Sequence, residues 1–325
     1  MSAATVPLHQ VLECLLRDED ELRVRAGEQG LDPACLGAWR SALLSIAVRE
    51  LPSLIDPLNW VQADIELVDT SDGYLRLLGS PLLERIQDWS QQSSCGYYLH
   101  KPPGLKIRAE GDRQARAQEL AGLCDELQAT GAARSWRFGS YLPETALFGG
   151  EAGLAITHRL FTADSIAVLG YHRTRQAGAT ATGPAEFSLA CLLALAEATI
   201  RDRWERWDAW TALGRLGRLA PERNDTAGQA ALEWVLRSQH DLREGRVPAG
   251  TESLVTPVMR SVNASAADLA ATAQAGQLLA SPRQLLPFWA VFHWNRMGFS
   301  LAEQRELGRL LELAARPEDR RGRGR

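Results

Sequence analysis

WRFGSYLPETALFGGEAGLAITHRLFTADSIAVL, residues 136–169, is the stretch from which the rest of the chain becomes readable. Trp136, Phe138 and Ser140 alternate with Arg137, Gly139 and Tyr141, the period of a short strand. A Pro143-Glu144 turn carries a solitary carboxylate, and Gly149-Gly150 marks a place where positive φ or close backbone approach is expected. Beyond it Leu154, His158 and Phe161 recur at helical spacing, and Asp164 is placed to cap a further helix through Leu169.

Outward from this core, the strands come first. Val61, Ala63, Ile65 and Leu67 alternate with Gln62, Asp64, Glu66 and Val68, which predicts a half-buried strand with three polar outward positions. Leu82, Leu83, Ile86 and Trp89 line one face of a helix that starts at Pro81. In CGYYLHKPPGLKIRAEGD, residues 95–112, Pro102-Pro103-Gly104 separates two short strands. In the second, Leu105 and Ile107 face one way and Lys106 and Arg108 the other; on the residues alone these are two solvated cations at a sheet edge.

The remainder reads as helix. Arg113–Thr130 is a charged helix, and 176–183 is a small-residue loop expected to be mobile. Thr182-Gly183-Pro184 opens the longest predicted helix, with Leu189, Leu193, Ala196, Ile200, Trp204 and Trp207 in one stripe. Ala227–Gln239 is helical and 240–250 a polar loop. Leu254–Arg260, Ala266–Ala280 and Arg283–Phe299 are helical, followed by an amphipathic helix from Glu303. Before residue 52, Val11 and Leu15 and then Asp32-Pro33 with Leu36, Trp39, Leu43 and Ala47 predict two helices. The organisation expected is a helical N-terminal extension over 1–58, an α+β domain over 59–315 in which an antiparallel sheet packs with many helices, and a disordered tail over 316–325.

Bulk properties exclude several classes. With 325 residues, 45% of them hydrophobic, the chain has material for a sizeable core. A net charge of −4 gives no global nucleic-acid character. No window suits a transmembrane helix and the N-terminus carries no signal-peptide pattern, so neither a membrane role nor export is expected. The five cysteines are scattered, without a C-x-x-C pair, which supports neither a zinc site nor a disulfide framework and fits a cytoplasmic compartment. With no phosphate loop or dinucleotide fingerprint, no cofactor is expected. Ten tryptophans imply large apolar surfaces, in a core or in a groove for a heterocyclic ligand.

The order of these features resembles the SpaB-type C-terminal elimination domain of lantibiotic dehydratases and its stand-alone relatives in thiopeptide biosynthesis. That family writes an aromatic strand, a Glu, Arg-Tyr-Gly-Gly, then a helix leading to Phe-x-x-Asp-Ser. Here Glu144, Phe148-Gly149-Gly150 and Phe161-x-x-Asp164-Ser165 match, while Leu147 stands where the family has its arginine. The family's basic strand, His-Leu-Arg-Leu-Arg, is represented by Gly104, Lys106 and Arg108. Its second signature, His-Met-x-x-Asn-Arg, is matched at Asn295-Arg296; Val291 takes the first histidine's place, and His293 holds a second position. The two specific motifs occupy some 50 residues of a resemblance that runs from about Trp60 to Leu313.

Elimination domains remove glutamate from glutamylated Ser or Thr of a peptide, and the resemblance implies that two arginines, a Glu and a His do this. Two of those groups are hydrocarbon here, and a hydrocarbon transfers no proton. A retained fold with an eroded elimination set resembles the thiopeptide pyridine synthases, which join two dehydroalanines in a formal aza-(4+2) cycloaddition and expel water and the leader peptide. The substrate so implied is a dehydrated, azole-containing precursor peptide. The candidate residues are His293 as acid/base or donor, Ser281 and Gln284 as donors to an amide oxygen or else a helix cap, and Glu144 as the retained carboxylate. Lys106, Arg108, Asn295 and Arg296 are candidates for binding the substrate peptide, the last two, at a helix end, suited to holding the domain together rather than to reacting. His158 reads as structural. The competing readings are a glutamate-eliminating split dehydratase subunit and a non-catalytic peptide-binding scaffold.

Overall fold

The computed structural model describes residues 59–68, 80–101, 104–221, 226–248 and 251–317, with a few isolated positions besides. The chain divides into two units, Met1–Leu58 and Asn59–Arg325, and the second carries every element below. The two helices expected before residue 52 and most of the tail lie outside the described residues.

Four strands form one antiparallel sheet: β1 (Trp60–Leu67), β2 (Gly96–Lys101), β3 (Gly104–Glu110) and β4 (Ala133–Gly139), in the order β2-β3-β1-β4. Register follows the hydrophobic pattern, with Ala63 opposite Ile107 and Phe138, and Gln62 opposite Arg108 and Gly139. Val61, Ala63, Ile65, Leu105, Ile107 and Ala109 thus share one buried face. Helix α2 (Arg113–Ala129) lays Leu120, Leu123, Cys124 and Leu127 on it, each fully buried leucine contributing about 1.5–3 kcal/mol. Asp112 caps this helix by accepting from the Ala115 amide at 2.9 Å.

The opposite face carries Gln62, Asp64, Glu66, Lys106 and Arg108. The outward positions expected on β1 are therefore not all exposed: Gln62 is 2% accessible, because the segment after β4 and the helix that follows cover its end of the face. Nor is the pair of cations at a sheet edge, since β3 lies between β2 and β1. On β4, Gly139 is opposite Gln62, and a Cβ there would fall 2.5 Å from Asp64 Oδ2.

Helix α1 (Leu82–Gln91) buries Leu82, Leu83, Ile86 and Trp89, the stripe expected. Helix α3 (Gly150–Gln176) is the longest described element and packs against α1, β2 and two later helices. Gly149 and Gly150, at φ 81° and 88°, turn the chain into it through the left-handed region that glycine tolerates. At β2 the side chains of α3 close the sheet edge: Thr162 Oγ1 accepts from the Gly96 amide at 3.1 Å and Ser165 Oγ from the Tyr98 amide at 3.3 Å.

Here the structure corrects several expectations. Asp164 caps nothing; α3 runs straight through it, because its partners on another helix hold the carboxylate in the helix interior. The helix expected to continue through Trp207 is two, α4 (Pro184–Thr199) and α5 (Arg203–Thr211). Ile200 leaves the first with extended backbone, and Asp202 caps the second by accepting from the Trp204 and Glu205 amides. Helix α6 (Thr226–Arg243) extends into the segment read as a loop. Conversely, the break expected between residues 260 and 266 is absent: α7 (Glu252–Gln274) is continuous and tolerates Pro257 because Val255, Val258 and Val262 anchor it in the core. Helices α8 (Pro282–Met297) and α9 (Leu301–Ala315) complete the chain. No helix among the described residues is long and apolar enough to cross a membrane.

Candidate functional site

The polar face of the sheet and the middle of α3 hold two clusters of buried polar side chains. The first is built on β1, β2 and β3. Arg108, 6% accessible, donates through Nε to Gln62 Oε1 at 2.8 Å and through Nη1 to Tyr97 Oη at 3.0 Å. Tyr97 donates to Tyr141 Oη at 3.1 Å, and Tyr141 meets His158 Nε2 at 2.7 Å. The guanidinium also lies 4.0 Å from the centre of the Tyr141 ring. Lys106, half-buried, pairs with Asp64 at 2.9 Å, and Gln62 Nε2 donates to the same carboxylate at 2.8 Å. Glu144 is half-buried between β4 and α3, near enough for its charge to act on Arg108, Tyr97 and Tyr141.

Electrostatics follow from burial and from that neighbourhood. Burial opposes the charge of Arg108, but Tyr97, Tyr141 and the charge of Glu144 outweigh it and hold its pKa above the ordinary value. Burial pushes the hydroxyls of Tyr97 and Tyr141 up, so both stay protonated. His158 is pulled down to about 3 by burial and then by the charge of Arg108, and is neutral at pH 7. Among the described residues no carboxylate makes an ion pair with Arg108.

The second cluster ties three helices together. Asp164 of α3 takes His293 Nδ1 at 2.7 Å and Arg296 Nη1 at 2.8 Å, both from α8. His293 Nε2 meets Ser188 Oγ of α4 at 3.0 Å. Ser188 and Arg296 are both 0% accessible. Burial opposes ionisation of Asp164, but His293 and then Arg296 overcome it and hold the pKa below the usual carboxylate range. Burial lowers the pKa of Arg296 as well, yet an arginine stays charged at neutral pH, so the two form an ion pair. The clusters meet at aromatic rings: the Arg296 guanidinium lies 4.2 Å from the Phe161 centroid and 5.9 Å from that of Tyr97.

Of the residues singled out from the sequence, the structure brings Arg108, Lys106 and Glu144 to one region. It places His293 and Arg296 together, deeper, on Asp164. Asn295 accepts from Gln304 Nε2 at 3.3 Å, at the junction of α8 with α9. Ser281 and Gln284 are exposed and bond to each other, the Ser281 amide donating to Gln284 Oε1 at 2.9 Å as half of a capping box. Leu147 and Val291 are partly buried and pack against the hydrophobic core. Sequence reasoning missed Gln62, Tyr97, Tyr141, Asp164 and Ser188 and took His158 as structural. One signal was available: Tyr97 precedes the Pro-Pro turn as far as Arg108 follows it, which places a ring hydroxyl opposite the guanidinium in a hairpin. Among the described residues, no three His, Cys, Asp or Glu side chains are grouped to hold a metal ion.

Comparison with known proteins places this architecture. A solved structure of the tRNA-dependent lantibiotic dehydratase MibB from Microbispora sp. 107891 superposes with a TM-score of 0.61 at 16% identity, over 79% of this chain and 28% of that one. The chain therefore spans little more than a quarter of that protein's length, and the likeness is one of fold. Weaker likenesses are to TbtD, a pyridine synthase from thiomuracin biosynthesis (TM-score 0.43, 14% identity, 79% of this chain and 97% of that one), and to TsrL (0.44, 16%, 78% and 93%). No curated protein matches the sequence. The family model described as lantibiotic biosynthesis dehydratase C-term matches residues 60–315, most of the chain. By that match, this protein belongs to the lantibiotic dehydratase C-terminal domain family.

Proposed function

We propose that the chain is a peptide-modifying enzyme of thiopeptide biosynthesis, a pyridine synthase that joins two dehydroalanines of a dehydrated, azole-containing precursor peptide. One observation carries this reading. Where elimination domains keep an arginine and a histidine, this chain has Leu147 and Val291, hydrocarbon side chains packed on the hydrophobic core. Glutamate elimination needs a base for the Cα proton and a cation for the departing carboxylate, and both positions are inert. The retained groups suit a different task. Arg108 is a charged donor whose hydrogen-bonded partners are neutral, with Glu144 acting on it without an ion pair, so it stabilises negative charge on a substrate amide oxygen as the azadiene forms. Glu144, beside it, moves the amide proton.

The larger contribution is positional. Holding both alkenes of one peptide in contact is worth up to ~7–11 kcal/mol for well-oriented intramolecular reactions. In this scheme Lys106 steers the peptide along the polar face, while His293, Asn295 and Arg296 fix α8 against α3 and α9 and act as positioning residues. Ring closure is followed by loss of water and of the leader peptide as its amide, which leaves a pyridine.

Mass spectrometry of the protein mixed with a dehydrated, azole-containing precursor tests this. The expected products are the leader amide and a core lighter by leader plus water. An unchanged precursor, together with glutamate loss from a glutamylated peptide, would return the chain to elimination chemistry; inertness towards both, with retained peptide binding, would make it a scaffold.

A further inference from the structure

Helix α3 has a second polar side. Between it, α7 and the turn leading from α1 into β2 lies a cleft of about 500 Å³, within the roughly 300–1,000 Å³ of small-ligand sites. His158, 93% buried from its 7% accessibility, lines this cleft while its Nε2 is held by Tyr141.

The hydrogen-bond chain that ends at His158 has a direction. Arginine has no acceptor atom, so Arg108 donates to Tyr97. Tyr97 is fully buried, and among the described residues Tyr141 is the acceptor its hydroxyl meets. Tyr141 is buried as well, and among the described residues His158 Nε2 is the acceptor within reach of its own proton, so we assign that proton to the 2.7 Å contact. An Nε2 that accepts carries no hydrogen, and the ring is neutral, so its one proton sits on Nδ1. The relay thus leaves Nδ1–H as a donor on a side chain that lines the cleft.

The remaining lining selects the ligand. Ser261 and Ser265 from α7 present hydroxyls, Glu110 accepts from the Cys95 amide at 3.1 Å through Oε2 and presents its other oxygen, and Ala155 keeps one wall low. Arg159 pairs with Asp268 at 2.7 Å, so with Glu110 the charged lining is net negative, which disfavours phosphates and carboxylates. The lining contains no Phe, Tyr or Trp on which a heterocycle would stack. Cys95, also in the wall, has its thiol pushed up to about 12 by burial, so no thiolate chemistry is available. Peptide main chain offers what is wanted, one acceptor and one donor per residue, both neutral.

We infer that this cleft binds a peptide main-chain segment with small side chains, whose carbonyl oxygen accepts from His158 Nδ1–H and whose N–H faces Glu110. The site lies at the far end of the relay from Arg108 and does not depend on which reaction the sheet face performs.

The test uses the full chain labelled with 15N at histidine, titrated with N-acetyl-Ala-Ala-Ala-amide, with the His158 ring resonances assigned through His158→Gln. The expected free state is the Nδ1–H tautomer, and the peptide shifts that resonance saturably. Ala155→Phe, at an exposed position, fills the mouth and abolishes the shift while the tautomer stays. Tyr141→Phe removes the donor to Nε2, frees the other tautomer and weakens binding about tenfold, the worth of one hydrogen bond. An Nε2–H tautomer in the unaltered protein, a resonance that does not move with peptide, or a shift that survives Ala155→Phe would each overturn the assignment.

Discussion

Two buried arginines, Arg108 and Arg296, lie against the same tyrosine ring at 5.6 and 5.9 Å, yet their surroundings differ in kind. Arg296 is neutralised on the spot: Asp164 takes one guanidinium nitrogen and, with its other oxygen, His293. Arg108 is held by an amide oxygen and a phenol, neutral groups that orient the fork without cancelling its charge. A charge balanced in place ties elements together. A charge balanced by nothing in contact costs desolvation and remains available to a substrate. The difference separates the structural cluster from the candidate catalytic one more sharply than either sequence motif does.

The comparison breaks most visibly at Asp164. Asp164→Asn takes the paired carboxylate from the buried Arg296, and a loss of ~3–5 kcal/mol is expected in the unfolding free energy from urea titration; a loss under ~1 kcal/mol would deny the pair its structural role. Arg108→Met should invert the pattern. Peptide turnover falls about a hundredfold, as when a donor to developing charge is removed, while stability falls by only ~1–3 kcal/mol for the broken hydrogen bonds.

Acid sharpens the contrast further. The pKa of His158 is depressed to about 3 from an unfolded value near 6.5, so its contribution is whole above about pH 6.5 and drains away as pH falls towards 3. His172, lowered to about 4, adds to the same slope. The depressed carboxyl of Asp164 has the same sign in a lower window, keeping its contribution above the ordinary carboxylate pKa and losing it beneath. His158→Gln should therefore remove up to ~1.4 kcal/mol per pH unit from the stability slope between pH 6 and 4; an unchanged slope would show that the ring is charged in the folded protein.

The smallest effect is expected at the head of α8. Ser281→Ala removes only the hydroxyl's 3.1 Å bond to Gln284 Oε1 and leaves the amide half of the box, so it costs about 0.5 kcal/mol, the low end for a cap. Turnover measured beside it decides whether the hydroxyl also donates to substrate: an unchanged rate leaves it a cap.

Much of the architecture was legible because its causes are local. The alternation in β1 and β3 and the stripe on α1 are period-2 and period-3.6 patterns that need no knowledge of the rest of the chain. Glu144 and Arg108 could be paired only through a family resemblance, which the structure supports by bringing them into one region. What was not legible acts across distance. Asp164 reads locally as a cap, and only partners 129 and 132 residues away make it a buried hub. Gln62 reads as outward because alternation says nothing about what later covers a face. Tyr141 follows a strand and looks like a boundary residue until the relay from Arg108 to His158 is seen.

The hydroxyls that cover the β2 edge also set an order of events. Gly96 and Tyr98 are sealed by Thr162 and Ser165, which lie 66 and 67 residues further along the chain. While the chain is being made, the hairpin of β2 and β3 exists before its seal does, and its bare amides are a template for pairing with another copy. The vulnerable interval closes only when α3 docks, a non-local step and hence a slow one. Loss of either hydroxyl would therefore register first as aggregation during synthesis, in a protein whose finished form is nearly unchanged.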